Sequence, residues 1–222
     1  MIFSRKRADD ARHARDERTT EVLDPQETGE SSPQAPARGP YDVSEAPDTP
    51  RLDLGSLQIP AVPDVEVRVQ ADPQGVIQQV VLVHGDNALQ LGVFAAPRSD
   101  GIWDEVREEI RQSLFNDGAA AQEVEGEYGI ELRARVRTPD GLTDLRFVGI
   151  DGPRWMVRGV YQGDAAGDPD AAGPLALCLS GLVVDRGQEA KPVREPLPLR
   201  LPREMAEQQA AAQQSAPGQR EA

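Results

Sequence analysis

The chain has 222 residues but only one cysteine, Cys178, two histidines and two lysines, and aromatic residues make up 4% of it. A lone thiol excludes an intramolecular disulfide and any zinc site built on cysteines, and it fits a reducing compartment. Long apolar runs are missing. The longest uncharged apolar-rich stretch, Pro174 to Val184, is eleven residues, well short of the roughly 20 that span a bilayer. The basic residues at the start run straight into aspartates with no apolar segment behind them, so they do not form a secretory signal. A cytoplasmic protein without a transmembrane segment is expected. Positive charge is also in deficit: 24 basic against 38 acidic residues leave a net charge of −14. Such a chain repels phosphate backbones, which argues against sequence-independent nucleic-acid binding. No G-x-G-x-x-G, P-loop or nucleophile-elbow serine occurs.

Composition divides the chain into three parts. Residues 1–50 are rich in charged residues, Ser, Thr and Pro with few large apolar groups. Burial there cannot offset the entropy of ordering, so a disordered arm is expected. Residues 51–203 read as one domain and 204–222 as a flexible tail. No internal repeat is present at any constant period.

Within the domain, Val65–Gln70 alternates valine with polar residues, the period of a half-buried strand. Residues 76–84 and 88–96 follow as two more strands around the turn cluster Gly85-Asp86-Asn87. Residues 98–118 are the clearest helix. Ile102 or Trp103, Val106, Ile110 and Leu114 share a face, acidic residues occupy the first turn, and Gly118 supplies a stop. Between 121 and 163 the pattern gives four strands joined by short turns, which allow only antiparallel neighbours. A second helix is predicted over 170–182, with Ala171, Leu175, Cys178, Leu179 and Leu182 as its buried stripe and Pro174 tolerated in the first turn. "LVVDRG" can add a last strand. The segment "KPVREPLPLRLP" can lie extended on the domain but cannot be a central strand. The resulting class is α+β: a sandwich around an antiparallel sheet of about seven or eight strands with two main helices.

Five separated segments, "RLDLGSLQIPAV", "IWDEVREEI", "EVEGEYGIELRARV", "RFVGIDGPRWMVRGVYQG" and "REPLPLRLPREM", together resemble an actinobacterial domain-of-unknown-function family, the one numbered thirty-seven ten. The resemblance covers residues 41 to 208. It implies no activity, cofactor or catalytic residue; the frequent placement of such genes near a dUTPase gene and an OB-fold protein gene implies a nucleotide or nucleic-acid context. In element order alone, the chain is similar to the PsbP and Mog1 class of αβα sandwiches.

The inventory of reactive groups is thin. His84 with Asp86 lies at a strand end, where a solvated turn is the simpler reading. Cys178 falls on the apolar stripe of a helix and behaves there as a small hydrophobe. Asp164, Asp168 and Asp170 share a loop, but the order of a calcium-binding loop is absent and Asp170 reads as a helix cap. No catalytic, metal or cofactor site is therefore assigned.

The arginines carry the functional reading. Arg133, Arg135 and Arg137 alternate with Leu132, Ala134 and Val136, so all three point away from the apolar side. Arg146 on the next strand and Arg154 and Arg158 on the one after join them if the registers agree. Six guanidinium groups on one sheet face would make an anion platform. The alternative is neutralisation by the preceding strand, where Glu123, Glu125 and Glu127 also alternate. An odd-numbered connecting loop sets Glu125 opposite Arg133 and Glu123 opposite Arg135; an even one turns the arginines towards Val124 and Gly126. In the stretch "DGPRWMVRGVYQG", Trp155, Val157, Gly159 and Tyr161 share one face, where two rings flanking a glycine leave a groove for the helix bearing Trp103. Arg154, Met156 and Arg158 share the other. The expected function is a non-catalytic binding or adaptor domain engaging a protein partner or an anionic small molecule. The alternative is an enzyme or sensor of nucleotide or phosphate metabolism that uses the arginine face.

Overall fold

The computed structural model describes residues 39–72, 76–139 and 141–202. The predicted arm up to residue 38, residue 203 and the predicted tail, 204–222, lie outside these residues. Described order nevertheless begins before residue 51. Tyr41–Asp42 forms strand β1, and the backbone N–H groups of Gly39, Tyr41 and Val43 donate to the carbonyls of Ser180, Leu182 and Val184.

Seven antiparallel strands form the main sheet: β4 (Glu66–Ala71), β5 (Ile77–His84), β6 (Asn87–Ala95), β7 (Ala120–Gly126), β8 (Gly129–Thr138), β9 (Gly141–Gly152) and β10 (Trp155–Gln162). Their spatial order is β4-β5-β6-β10-β9-β8-β7. Every strand expected between 65 and 163 is present, because alternation and turn residues there agree with the antiparallel pairing that short loops require. A second sheet was not expected, although "LVVDRG" was expected to supply one of its strands, Val183–Val184. It joins β1, β2 (Arg51–Asp53), β3 (Leu57–Pro60) and β11 (Val183–Val184) in the order β1-β11-β3-β2. Strands of two to four residues are too short to show a period.

Helix α1 (Trp103–Asn116) covers one face of the main sheet. The other face packs against the small sheet, the short helix α2 (Asp164–Gly167), a 3-10 turn (Pro169–Ala172) and helix α3 (Gly173–Gly181). Pro174 sits in the first turn of α3, as its missing N–H requires, and Leu175, Cys178 and Leu179 are buried. The segment 193–201 lies extended along the domain, burying Leu197, Leu199 and Leu201. It bridges Phe94, Val76 and Gly55 singly rather than joining the ladder. Among the described residues no helix is long and apolar enough to cross a membrane.

Two local devices fasten α1. Its first N–H groups lack intrahelical acceptors, and the Asp151 carboxylate of β9 takes them, at 2.8 Å from Ile102 N and 3.2 Å from Trp103 N. The Trp103 ring then lies over Gly149 and donates Nε1–H to the Ile130 carbonyl at 2.7 Å. A Cβ at Gly149 would stand 2.0 Å from a ring carbon.

Gly149→Ala is therefore expected to lower stability by at least about 1–3 kcal/mol through overpacking, read from urea unfolding; an unchanged midpoint would contradict the contact. Burial also pushes the Cys178 thiol up to about 11 and raises the Tyr161 phenol. Both groups are held neutral in the fold, so their contribution is complete below the unfolded-state values, about 8.5 and about 10, and is lost as pH rises above them. Stability should decline from about pH 8.5 upwards, and Cys178→Ala should remove the first part of that decline.

Candidate functional site

The six arginines do not form one surface. The β7–β8 connection holds two residues between the paired Gly126 and Gly129, so the even-numbered alternative is the one realised. Its pairs nevertheless differ from those expected: Arg133 stands opposite Gln122 and Arg135 opposite Ala120. Neutralisation by Glu123 and Glu125 does not occur, since both point to the α1 face, where Glu123 accepts from Arg107 Nε at 2.9 Å. On β9, Arg146 is the partner of Arg133 and Asp144 that of Arg135. On β10, Arg158 pairs with Gly149 and Gly92 and so lies on the α1 face, opposite Arg133, Arg135 and Arg146. Arg154 occupies the β9–β10 turn with φ +63 and donates to the Gly187 carbonyl at 3.2 Å.

Each guanidinium has a different fate. Arg146 is buried, 5% exposed, and its charge meets three groups: the Ala165 carbonyl at 3.0 Å, the buried Glu131 carboxylate at 3.4 Å, and the Tyr161 ring, whose centroid lies 4.2 Å away. Arg158 lies 5.2 Å from the Phe94 centroid, and burial holds its guanidinium below the usual arginine value. Arg135 makes a two-pronged pair with Asp144 at 2.6 and 2.7 Å, which keeps that carboxyl below the usual aspartate range. Arg133 donates Nη1–H to the Gly167 carbonyl at 3.0 Å, and its Nε–H has no acceptor. Among the described residues neither Arg133 nor Arg137 has a carboxylate within ion-pair distance. The aromatics of β10 are core, as their parity implies, but the groove between them is filled from another side. Gly159 faces Leu89 and Leu179 of α3, whereas Trp103 lies across the sheet over Gly149.

Arg133 and Arg135 line an open groove of about 360 Å³ where β7, β8 and β9 run beyond the cover of α2. Ala120, Gln122, Asp144 and Gly167 complete most of its floor and rim. Among the described residues β7 is the last strand of the sheet, and none of them pairs with the backbone groups on its outer side. Beside the groove, sharing Asp144 and Gly167, a second depression is walled by Asp164 and Asp168. Asp168, not Asp170, caps the local turn by accepting from Asp170 N at 3.0 Å. No group of three metal-ligating side chains occurs among the described residues. His84 sits at the end of β5 opposite Asn87.

Sequence reasoning missed Glu131 and the carbonyls of Ala165 and Gly167. Glu131 could have been found, because it shares the parity of Arg133 on the same strand. The carbonyls could not, since they come from a helix 19 residues from Arg146 and 34 from Arg133.

Removing one member of a buried pair strands the other charge. Glu131→Gln is expected to cost about 3–5 kcal/mol, whereas Arg133→Ala at the open groove should cost under about 1 kcal/mol. Urea melts of the two variants measure the difference, and equal losses would contradict the division between core and groove.

Residues 39–208 match the family described as protein of unknown function (DUF3710). No curated protein matches the chain. Among solved structures it is similar to the solution structure of cyanobacterial PsbP (CyanoP) from Synechocystis sp. PCC 6803. The two are 13% identical with a TM-score of 0.36, over 61% of this chain and 92% of that one. With well over half of its length covered from β1 onwards, the chain belongs to the family described as protein of unknown function (DUF3710).

Proposed function

We propose that this protein is a binding module that engages an extended, acidic segment of a protein partner in the groove between β7, β8 and β9, and that it acts in the cytoplasm, as the single cysteine suggests. The observation that carries this reading is the pair Arg133, which lines the groove, and Arg137, further along the same face of β8: among the described residues neither has a carboxylate within ion-pair distance. A carboxylate brought to either forms charge-assisted hydrogen bonds, which at Arg133 gain strength from the groove's partial shelter. The edge position of β7 favours an extended ligand, whose main chain can pair with the strand while alternate side chains reach the arginines. Small residues at Ala120, Ala166 and Gly167 leave room for it.

Catalysis is disfavoured by the groove's own chemistry. Among the described residues its lining holds no serine, cysteine or histidine, and the one carboxylate there, Asp144, is engaged by Arg135 and held in the ionised form. The acidic wall of Asp164 and Asp168 limits how much negative charge fits beyond the arginines, which favours a short acidic run over a polyanion.

Fluorescence anisotropy with a labelled hexaglutamate peptide and the full chain tests the proposal. Saturable binding is expected, weakened roughly tenfold by Arg133→Ala and weakened by added salt. A hexalysine peptide binding equally well, or a hexaglutamate isotherm that Arg133→Ala and Arg137→Ala leave unchanged, would overturn it.

A further inference from the structure

A second candidate site lies on the small sheet, away from the groove. Here β2, β3, the loop after β11 and the extended segment at Pro198–Arg200 enclose a pocket of about 430 Å³. Its charged lining comprises Asp53, Asp185, Arg186, Glu189, Lys191 and Arg200. Arg186 is 8% exposed, nearly as buried as Arg146, yet its surroundings differ. Arg146 has a carboxylate, a carbonyl and an aromatic ring. Arg186 donates Nη1–H to the Glu189 carbonyl at 2.6 Å, its Nε–H finds no acceptor, and no described carboxylate stands within ion-pair distance. A buried cation without a counter-ion is costly, and the cost is relieved by an anion placed beside it.

We infer that this pocket binds a small hydroxylated anion, a sugar acid or a sugar phosphate, with its charged group against Arg186 and Arg200 and its hydroxyls on Asp53 and Asp185. Arg200 has no described hydrogen-bond or ion-pair partner for its side chain, whereas Lys191 is tied to Glu195 at 3.4 Å. Asp53 and Asp185 each spend one oxygen on a backbone N–H, of Gly55 and Gly187, and keep acceptor capacity for hydroxyl donors. Among the described residues no aromatic side chain lines the pocket, so they offer no surface on which a nucleobase would stack. Three carboxylates in the wall exclude a polyanion. The volume suits one monosaccharide-sized ligand.

The loop is preformed. Asp185 N donates to the Ser56 carbonyl at 3.1 Å, and Arg154 holds the Gly187 carbonyl from the β9–β10 turn. Arg154, expected on the anion platform, thus braces this second pocket instead.

Calorimetry on the full chain with gluconate, glucose 6-phosphate, glucose and inorganic phosphate tests the inference. At least one of the first two should bind with Kd of about 1 mM or tighter, and the stronger of them tells a carboxylate source from a phosphate one. Glucose and inorganic phosphate should each bind at least roughly tenfold more weakly. Arg200→Ala, an exposed position that leaves the fold intact, should weaken the bound ligand roughly tenfold, and Arg133→Ala should leave it unchanged. No saturable binding by either hydroxylated anion, equal binding of glucose or phosphate, or insensitivity to Arg200→Ala would overturn the inference. None of these outcomes bears on the hexaglutamate groove.

Discussion

Burial of Arg146 between the main sheet and α2 is the constraint around which one face of this protein is arranged. A guanidinium inside a fold needs its donors taken and its charge answered, and both demands are met by groups from three elements: Glu131 on β8, the Ala165 carbonyl of α2 and the Tyr161 ring on β10. That cluster marks where the sheet face changes character. On one side lie Trp155, Val157 and the leucines of the main core; on the other lie Arg133, Arg135 and Asp144 around an open groove. By anchoring α2, it also brings the Gly167 carbonyl within reach of Arg133.

The opposite face is held by a different logic. There the helix is fastened by a carboxylate at its N-terminus and an indole over a glycine, and close approach rather than charge sets the spacing. The row Gly92, Arg158 and Gly149 crosses three strands, leaving the Arg158 side chain between glycines with Phe94 beside it. Arginine thus serves four purposes in one domain: core ion pair, ring partner, loop brace and groove lining. Composition treats these residues alike, and only their surroundings separate them.

Alternation made the main sheet legible. Wherever a strand ran six residues or more between turn residues, its position and the face of each side chain followed from the pattern, as for Leu132, Ala134 and Val136 against Arg133, Arg135 and Arg137. Of the small sheet only β11, inside "LVVDRG", was legible; β1 and β2 are two and three residues long, and the pairing of the four strands with one another shows no local period. The helix bearing Trp103 was placed on the wrong face for a related reason: parity distinguishes two faces but does not say which of them a distant helix will cover.

The sequence by itself determined the α+β class, the antiparallel strands, both main helices and the shared parity of Arg133, Arg135 and Arg137 on their strand, because those depend on local period and turn chemistry; Arg154, expected on the strand, lies in the turn before it. Tertiary structure alone decided which arginines meet. Two residues between Gly126 and Gly129 turned Glu123 and Glu125 to the far face, and the docking of α2 buried Arg146 while leaving Arg133 at an open edge. Pairing across strands and between layers depends on register and on contacts from far along the chain, and no local pattern encodes those distances.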